Sequence, residues 1–332
     1  MLREYGDLTR TALIKYLPTR EPRRYLYDLL SDYPQRGGKM MRPRMCIAAA
    51  RLFGAPLENA MHTAVAIEML HNALLIHDDI EDGSEKRRGR PTLHLLHGVP
   101  LALNAGDTLT LMSFKPLLDN RARIGERLTL RIIEETQRMA RECAEGQAME
   151  LGWRRYNTTE IGDADYMEMV LKKTCWLATI YPVRVGALIG SRDSVDLDPF
   201  VRYGFSLGAA FQIQDDLLNL VGDDGYGKEI DGDIWEGKRT LMLIHTMQES
   251  TTKERARLSE ILCRPREGRT PSEVRWIRKL MDKYGCTEYA RQIAHGLAGA
   301  ALHEYSLISA GLPDSRDKRF LEQMVTWVIE RN

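Results

Sequence analysis

Residues 57 to 94 read LENAMHTAVAIEMLHNALLIHDDIEDGSEKRRGRPTLH. Up to Ile80 the apolar side chains recur at three and four spacing, the period of an α-helix with a buried stripe. The run ends on four acids, Asp78, Asp79, Glu81 and Asp82, and a few residues on meets two adjacent arginines, Arg87 and Arg88. On a helix Asp78 and Asp82, four apart, lie one above the other with Asp79 beside them. Like charges at that spacing repel, and Ala73-Leu74-Leu75-Ile76 directly before them says that this end is partly buried, where unneeded charge is costly. Oxygen ligands on a rigid element suit Mg²⁺, which keeps several waters and shares a bound phosphate. A solvated helix end with clustered acids is the plainer reading of any single DDxxD.

Outward from this segment the helical period continues over most of the 332 residues, while sustained period-two alternation is hard to find. The class is all-α. Helices are predicted over roughly 4–17, 22–33, 42–53, 57–82, 99–119, 122–151, 163–190, 198–221, 238–250, 253–264, 270–284, 286–310 and 316–330. Gly222, Gly225, Gly227 and Gly232 make an acidic glycine-rich loop, and no Ser/Gly or Pro-rich linker, fixed-period repeat or low-complexity tract divides the chain. One helical domain over 1–332 is expected. Lys plus Arg and Asp plus Glu both total 47, so no global field recruits nucleic acid or an anionic membrane. Five scattered cysteines argue against a disulfide framework and read as reduced, buried thiols. No run approaches the roughly 20 apolar residues of a membrane span, and the N-terminus lacks the apolar core of a signal peptide. A soluble, cytoplasmic protein is expected.

A second segment has the same grammar. Residues 211 to 219 read FQIQDDLLN: Asp215 and Asp216 end an apolar run, and Asn219 stands where a third acid would fall. Two facing helices of this kind could clamp a metal-bound diphosphate, Asn219 coordinating weakly or through water. The plainer alternative is that Gln212, Gln214 and Asn219 satisfy one another across a bundle interface. Basic groups complete the picture. QRGGKMMRP at 35–43 frees the backbone at a glycine pair before Lys39 and Arg42 at a helix start, an anion site in prospect. Lys172, Lys173, Thr174, Lys228, Lys238 and Arg239 extend the theme, though each alone is most often a solvated charge. Arg87 and Arg88, as neighbours, diverge on any local structure and could serve two anions, which suggests two phosphate-bearing substrates.

Taken together, GGKMMRP at 37–43, DDIED at 78–82, RRG at 87–89, Lys173-Thr174 and FQIQDD at 211–216 resemble, in order, the signatures of the trans-type isoprenyl diphosphate synthases. The resemblance implies an all-α bundle with a deep cavity, usually a homodimer, that joins isopentenyl diphosphate head to tail to an allylic diphosphate. By the same resemblance Lys39, Arg42, His71 and Arg88 would hold isopentenyl diphosphate. Arg87, Lys173, Thr174, Gln212, Lys228 and Lys238 would hold the allylic diphosphate, with three Mg²⁺ ions bridged to Asp78, Asp82 and Asp215. Asp79 and Asp216 would orient ligands or metal-bound water, and His71, otherwise readable as a satisfied polar residue at a helix interface, becomes a substrate ligand. On this reading the acids and arginines of the first segment do not principally pair with each other but grip diphosphates from different sides.

The growing chain would run back from the acids past Leu74 and Leu70, on the face of Asp78. Farnesyl synthases resemble this segment but commonly carry aromatic residues where Ala73 and Leu74 stand. A helical turn of about 5.4 Å approximates one isoprene unit, so a missing aromatic layer admits about one more, and geranylgeranyl diphosphate is the expected product, with Met69, Met112 and Phe114 as residues that could close the pocket elsewhere. Farnesyl or longer polyprenyl products are the nearest alternatives. A class I terpene cyclase would leave Lys39, Arg42 and Arg88 without a task. A squalene-type synthase fits GGKMMRP poorly, and a catalytically silent partner subunit predicts eroded acids.

Overall fold

The computed structural model describes residues 3–221 and 230–330. Helix α1 (Arg3–Tyr16) is followed by a π-helical turn (Arg23–Tyr27), α2 (Asp28–Gln35), α3 (Met41–Leu52) and the long α4 (Leu57–Asp82). A two-stranded hairpin, β1 (Lys86–Arg87) and β2 (Arg90–Pro91), leads to α5 (Leu93–His97), α6 (Val99–Met112), α7 (Phe114–Asp119), α8 (Arg121–Ile124) and α9 (Glu126–Arg155). Then come α10 (Asp163–Val170), a π-helix (Leu171–Ile180), α11 (Tyr181–Ser191), α12 (Asp198–Val221), α13 (Gly232–Glu236), α14 (Leu241–Glu249), α15 (Thr252–Leu262), α16 (Pro271–Lys283), α17 (Cys286–Ile308) and α18 (Arg316–Glu330). The all-α class holds, with the short hairpin as the only sheet among the described residues.

Four predicted helices are broken, the 22–33 run by the π-helical turn before α2. The 99–119 run divides at Ser113, and 122–151 begins with the separate short α8 before Gly125. The 163–190 run changes to π winding over Leu171–Ile180 before resuming as α11. The predicted 57–82 helix keeps its bounds because its ends are coded locally: Pro56 precedes it, Glu58 complements the N-terminal dipole, and Gly83, at φ 64°, stops it in the left-handed region.

Contacts divide the chain into two compact units: Met1–Arg138 with Leu177–Val201 and Leu307–Gln323, and Met139–Trp176 with Arg202–Ser306 and Met324–Asn332. In the first, Val65, Met69, Ala73 and Ile76 of α4 pack into a core with Leu13 of α1, Leu30 and Tyr33 of α2, Leu93 of α5, and Ala102, Ala105 and Leu109 of α6. Helices α3 and α11 approach closely through small residues: a Cβ on Gly186 would sit 2.4 Å from the Cys46 carbonyl oxygen, and one on Gly190 2.4 Å from that of Ala50. In the second unit Thr251 with Glu254 and Thr270 with Glu273 form capping boxes that start α15 and α16. The ring of Tyr203 on α12 meets that of Tyr305 on α17 at 5.4 Å between centroids. Cys46, Cys143, Cys175 and Cys286 are buried thiols as expected, whereas Cys263 is exposed.

Candidate active site

The first acidic pair sits in the first unit, at the C-terminal end of α4. Its two members are unlike. Asp79 is fully buried, whereas the Asp78 side chain keeps 29% of its exposure and Asp82 is half-buried. Arg87 donates from Nε and Nη2 to Asp79 Oδ1 at 2.9 and 2.5 Å, and from Nη2 to Asp78 Oδ2 at 3.3 Å. Tyr33 on α2 donates its hydroxyl to Asp79 Oδ2 at 2.5 Å. Burial alone would lower the Arg87 guanidinium, but the bonds and charge of Asp79, with Asp78, outweigh it and hold the group above its ordinary range. Burial and the bond to Asp79 push the Tyr33 phenol up, so it stays a donor. The expectation that acids and arginines do not principally pair with each other is therefore corrected for Arg87. The carboxylate of Asp79 is buried, and a charge removed from water needs a cation and hydrogen bonds on its lone pairs.

Arg87 reaches the acids because of the hairpin. Residues Arg87 and Arg90 pair across a two-residue loop, Arg88-Gly89, whose φ angles are 53° and 74°. Two left-handed residues are what a type I′ turn demands, its twist matching that of paired strands. An arginine there is unusual, and the turn sends Arg88 away from Arg87. Its Nη1 donates to the Tyr33 carbonyl at 2.9 Å, and its guanidinium lies so close to Gly38 that a Cβ on that glycine would stand 3.0 Å from Nη2. The two arginines do diverge.

Arg88 thereby joins the other basic residues. Gly37, Gly38 and Met40 all have positive φ, the loop that leads into α3. Arg42, in the first turn of α3, lies with Nη1 3.3 Å from Nε2 of His71 on α4. Burial, then Arg42, Arg88 and Arg87, push the His71 imidazole well below its ordinary range. His71 is thus neutral, and because arginine only donates, Nε2 accepts and Nδ1 carries the proton. One turn before it Glu68, 2% exposed, takes a bond from Asn72 Nδ2 at 3.1 Å and sits in the field of Arg42 and Arg88. Nothing in the pattern of residues singles out Glu68 beyond its being an acid inside the apolar stretch of α4. Lys39 is exposed on the same loop.

The three residues expected to set chain length are separated by their packing. Ala73 is fully buried in the core described above, together with Met69. Leu70 is 4% exposed and Leu74 is half-buried, neither belonging to that core. Ala73 thus belongs to the core of the first unit, while Leu70 and Leu74 share the face of Asp78.

In the second unit the second pair ends α12. Asp216 is 1% exposed and Asp215 half-buried, so the same contrast recurs. Gln212 Nε2 and Lys238 Nζ donate to Asp216 Oδ1 at 2.8 and 3.2 Å, and the Tyr166 hydroxyl on α10 donates to Oδ2 at 3.1 Å. Burial would lower Lys238, but Asp216 and then Asp233 hold it well above its ordinary range. Burial, then the Asp216 charge, raises the Tyr166 phenol. The Thr174 hydroxyl donates to Gln212 Oε1 at 2.9 Å, which orients that amide with its nitrogen toward Asp216. Lys173 Nζ donates to buried Glu150 at 2.8 Å, and Lys172 pairs with Glu142 and Glu145 at 3.0 and 2.6 Å. Lys173 and Thr174 lie on the π-helix, which presses on α9 at Gly146: a Cβ there would stand 2.2 Å from the Lys173 backbone nitrogen. Asn219 uses its amide oxygen on the backbone N–H of Asp233 at 3.0 Å, and so ties α13 to α12. Lys228 lies outside the described residues.

An all-α fold with two acid-ended helices, each with its own basic partners, defines a protein built for diphosphate chemistry. The chain belongs to the polyprenyl synthetase family, the trans-type isoprenyl diphosphate synthases, a class of prenyltransferases, whose family model matches residues 23–281. It is 33% identical over 334 residues to a geranylgeranyl pyrophosphate synthase of Geoglobus acetivorans, covering 100% of this chain and 98% of that one. The crystal structure of geranylgeranyl pyrophosphate synthetase from Pyrococcus horikoshii Ot3 matches with a TM-score of 0.86 at 32% identity, over 99% of this chain and 97% of that one. A polyprenyl synthase from Caulobacter crescentus CB15, complexed with calcium and isoprenyl diphosphate, matches with a TM-score of 0.83 at 27% identity, over 99% and 94%.

Proposed function

We propose that this protein is a Mg²⁺-dependent head-to-tail prenyltransferase that joins isopentenyl diphosphate to dimethylallyl, geranyl and farnesyl diphosphates, with geranylgeranyl diphosphate as its main product. One observation carries the reading: in each acidic pair the first carboxylate is left partly open while the second is buried on a cation, the division of labour that an enzyme binding metal and diphosphate together needs. Partly solvent-exposed carboxylate oxygens on rigid helices fit a hard divalent ion that keeps part of its water, and Asp78, Asp82 and Asp215 would hold three such ions. Bound there, Mg²⁺ neutralises charge that develops on the leaving diphosphate. Calcium with isoprenyl diphosphate in the Caulobacter structure supports a divalent site.

The chain's own groups do the rest. Arg87, Lys173, Thr174, Gln212 and Lys238, with Lys228, bind the allylic diphosphate and offer preorganised donors where negative charge grows as the carbon–oxygen bond breaks. Lys39, Arg42, Arg88 and the neutral His71, through its Nδ1–H, bind isopentenyl diphosphate and fix its double bond for attack. Leu70 and Leu74 keep water from the allylic cation. The proton lost after carbon–carbon bond formation goes to the departed diphosphate, so no side-chain base is required.

The homodimer belongs to the same reading. Leu96, Leu103, Leu111, Phe114 and Leu118, from 38% to 71% exposed, stand on α5, α6 and α7 and would offer apolar side chains to a second copy of the chain. The single domain over 1–332 and a cytoplasmic setting complete it; four buried thiols and the lack, among the described residues, of a helix long and apolar enough to cross a membrane support the latter. Purified protein supplied with isopentenyl diphosphate, each primer in turn and Mg²⁺ tests the whole, products being sized by chromatography. A C20 diphosphate is expected; products ending at C15 overturn the chain-length reading, and unconsumed isopentenyl diphosphate overturns the activity.

A further inference from the structure

Two buried phenols stand in the same relation to the two acidic pairs. Tyr33, fully buried on α2, donates to Asp79 Oδ2 at 2.5 Å, while Arg87 holds Oδ1 at 2.5 and 2.9 Å and reaches Oδ2 at 3.2 Å. Tyr166, 1% exposed on α10, donates to Asp216 Oδ2 at 3.1 Å, while Lys238 and Gln212 hold Oδ1. Each second aspartate takes a phenol on Oδ2 and a cation assigned above to the allylic diphosphate on Oδ1, with Arg87 reaching Oδ2 of Asp79 as well. The tyrosines come from different elements, 46 and 50 residues from their acids, and no repeat relates the two segments.

We infer that Tyr33 and Tyr166 are positioning residues for the allylic diphosphate: each hydroxyl fixes the rotamer of the second aspartate, which in turn fixes where Arg87 or Lys238 presents its charge. A neutral donor suits this task. Without its phenol Asp216 would keep one buried oxygen under-bonded and Asp79 would keep one held by Arg87 alone, each carboxylate freer to rotate with its cation following it. A second cation in place of the phenol would draw charge away from the first. Aspartate with phenol instead leaves one carboxylate facing one cation, held in place but not outcompeted when a diphosphate with more charge arrives.

This inference rests on the functional reading above, and the experiment separates the two. Tyr166→Phe and Tyr33→Phe keep the rings and remove the hydroxyls; Tyr166 is the cleaner probe, because the Tyr33 hydroxyl also accepts the Leu93 N–H at 3.3 Å. Steady-state kinetics with each substrate varied in turn should give, for Tyr166→Phe, an allylic KM raised about tenfold or more, the factor expected for loss of one hydrogen bond to a charged group, with the isopentenyl KM unchanged. Tyr181→Phe is the control: Tyr181 is equally buried, and its hydroxyl meets Thr136 Oγ1 at 2.6 Å, away from both pairs. It should lose stability without moving either KM. No turnover in the wild type overturns the functional reading and this inference with it. Wild-type turnover with an unmoved allylic KM in Tyr166→Phe, or with both KM values raised together, overturns the inference alone.

Discussion

At the scale of single residues, the asymmetry within each acidic pair decides which substitutions matter for chemistry. Asp78 is the open member, so Asp78→Ala should lower turnover by orders of magnitude while circular dichroism and the unfolding midpoint stay near the wild type. Unchanged turnover would defeat its assignment as a metal ligand. Leu74, half-buried on the face of Asp78, should govern product length, and Leu74→Phe is expected to shift the main product from C20 to C15. Ala73, fully buried in the core of the first unit, should show a cost besides any effect on product length: Ala73→Phe overfills that core and lowers stability by about 1–3 kcal/mol or more. His71 supplies a pH dependence. Its folded pKa lies well below the ordinary 6.5, so below pH 6.5 the unfolded chain binds a proton that the folded chain refuses, and stability falls with pH. Relative to His71→Gln, the wild type should lose urea resistance between pH 7 and pH 5; parallel curves would show that burial does not shift this imidazole.

At the scale of elements, the informative contact is that of α9 with the π-helix. Gly146 permits it, since a Cβ there would overlap the backbone of Lys173, whereas Gly152 on the same helix has nothing within 4 Å. Gly146→Ala should therefore destabilise the protein by about 1–3 kcal/mol and depress turnover by displacing Lys173 and Thr174. Gly152→Ala should stabilise it by about 0.5–1 kcal/mol, and thermal unfolding of the pair checks both signs. The π winding itself was not legible in the sequence. Its apolar pattern continues that of the helices on either side, and the shift to wider turns is set by packing on α9. The hairpin was missed for another reason: strands of two residues are too short to carry an alternation. Helix α4 was legible to its bounds because capping, periodicity and the glycine stop agree.

For the molecule as a whole, the order of motifs along the chain carried the family and the fold, and the site's membership was read largely from the same motifs. What the sequence left out was support. Tyr33, Tyr166, Glu68 and Glu150 lie far along the chain from the groups they serve or look like ordinary helix residues, and only folding brings them together. The pairing of Arg87 with Asp79 was likewise hidden, because the burial that compels it is a tertiary property. The assembled state gives the remaining test. Leu111, 71% exposed, and Leu103, 46% exposed, both stand on α6, so Leu103→Glu with Leu111→Glu should convert the proposed dimer to monomers in sedimentation velocity, without loss of helical signal. A dimer that survives both changes places the subunit contact elsewhere.

The two-residue turn at Arg88-Gly89 has a consequence for how this segment can vary. Strand pairing fixes Arg87 opposite Arg90, and the bonds of Arg87 to Asp79 and of Arg88 to Tyr33 fix the entry to the loop. One inserted residue would reverse the faces of the hairpin and turn one arginine toward solvent. The stretch from Asp82 to Thr92 should therefore tolerate changes of side chain at Glu85 and Lys86 far better than any change of length. Deletion and insertion scanning, more than alanine scanning, will find its limits.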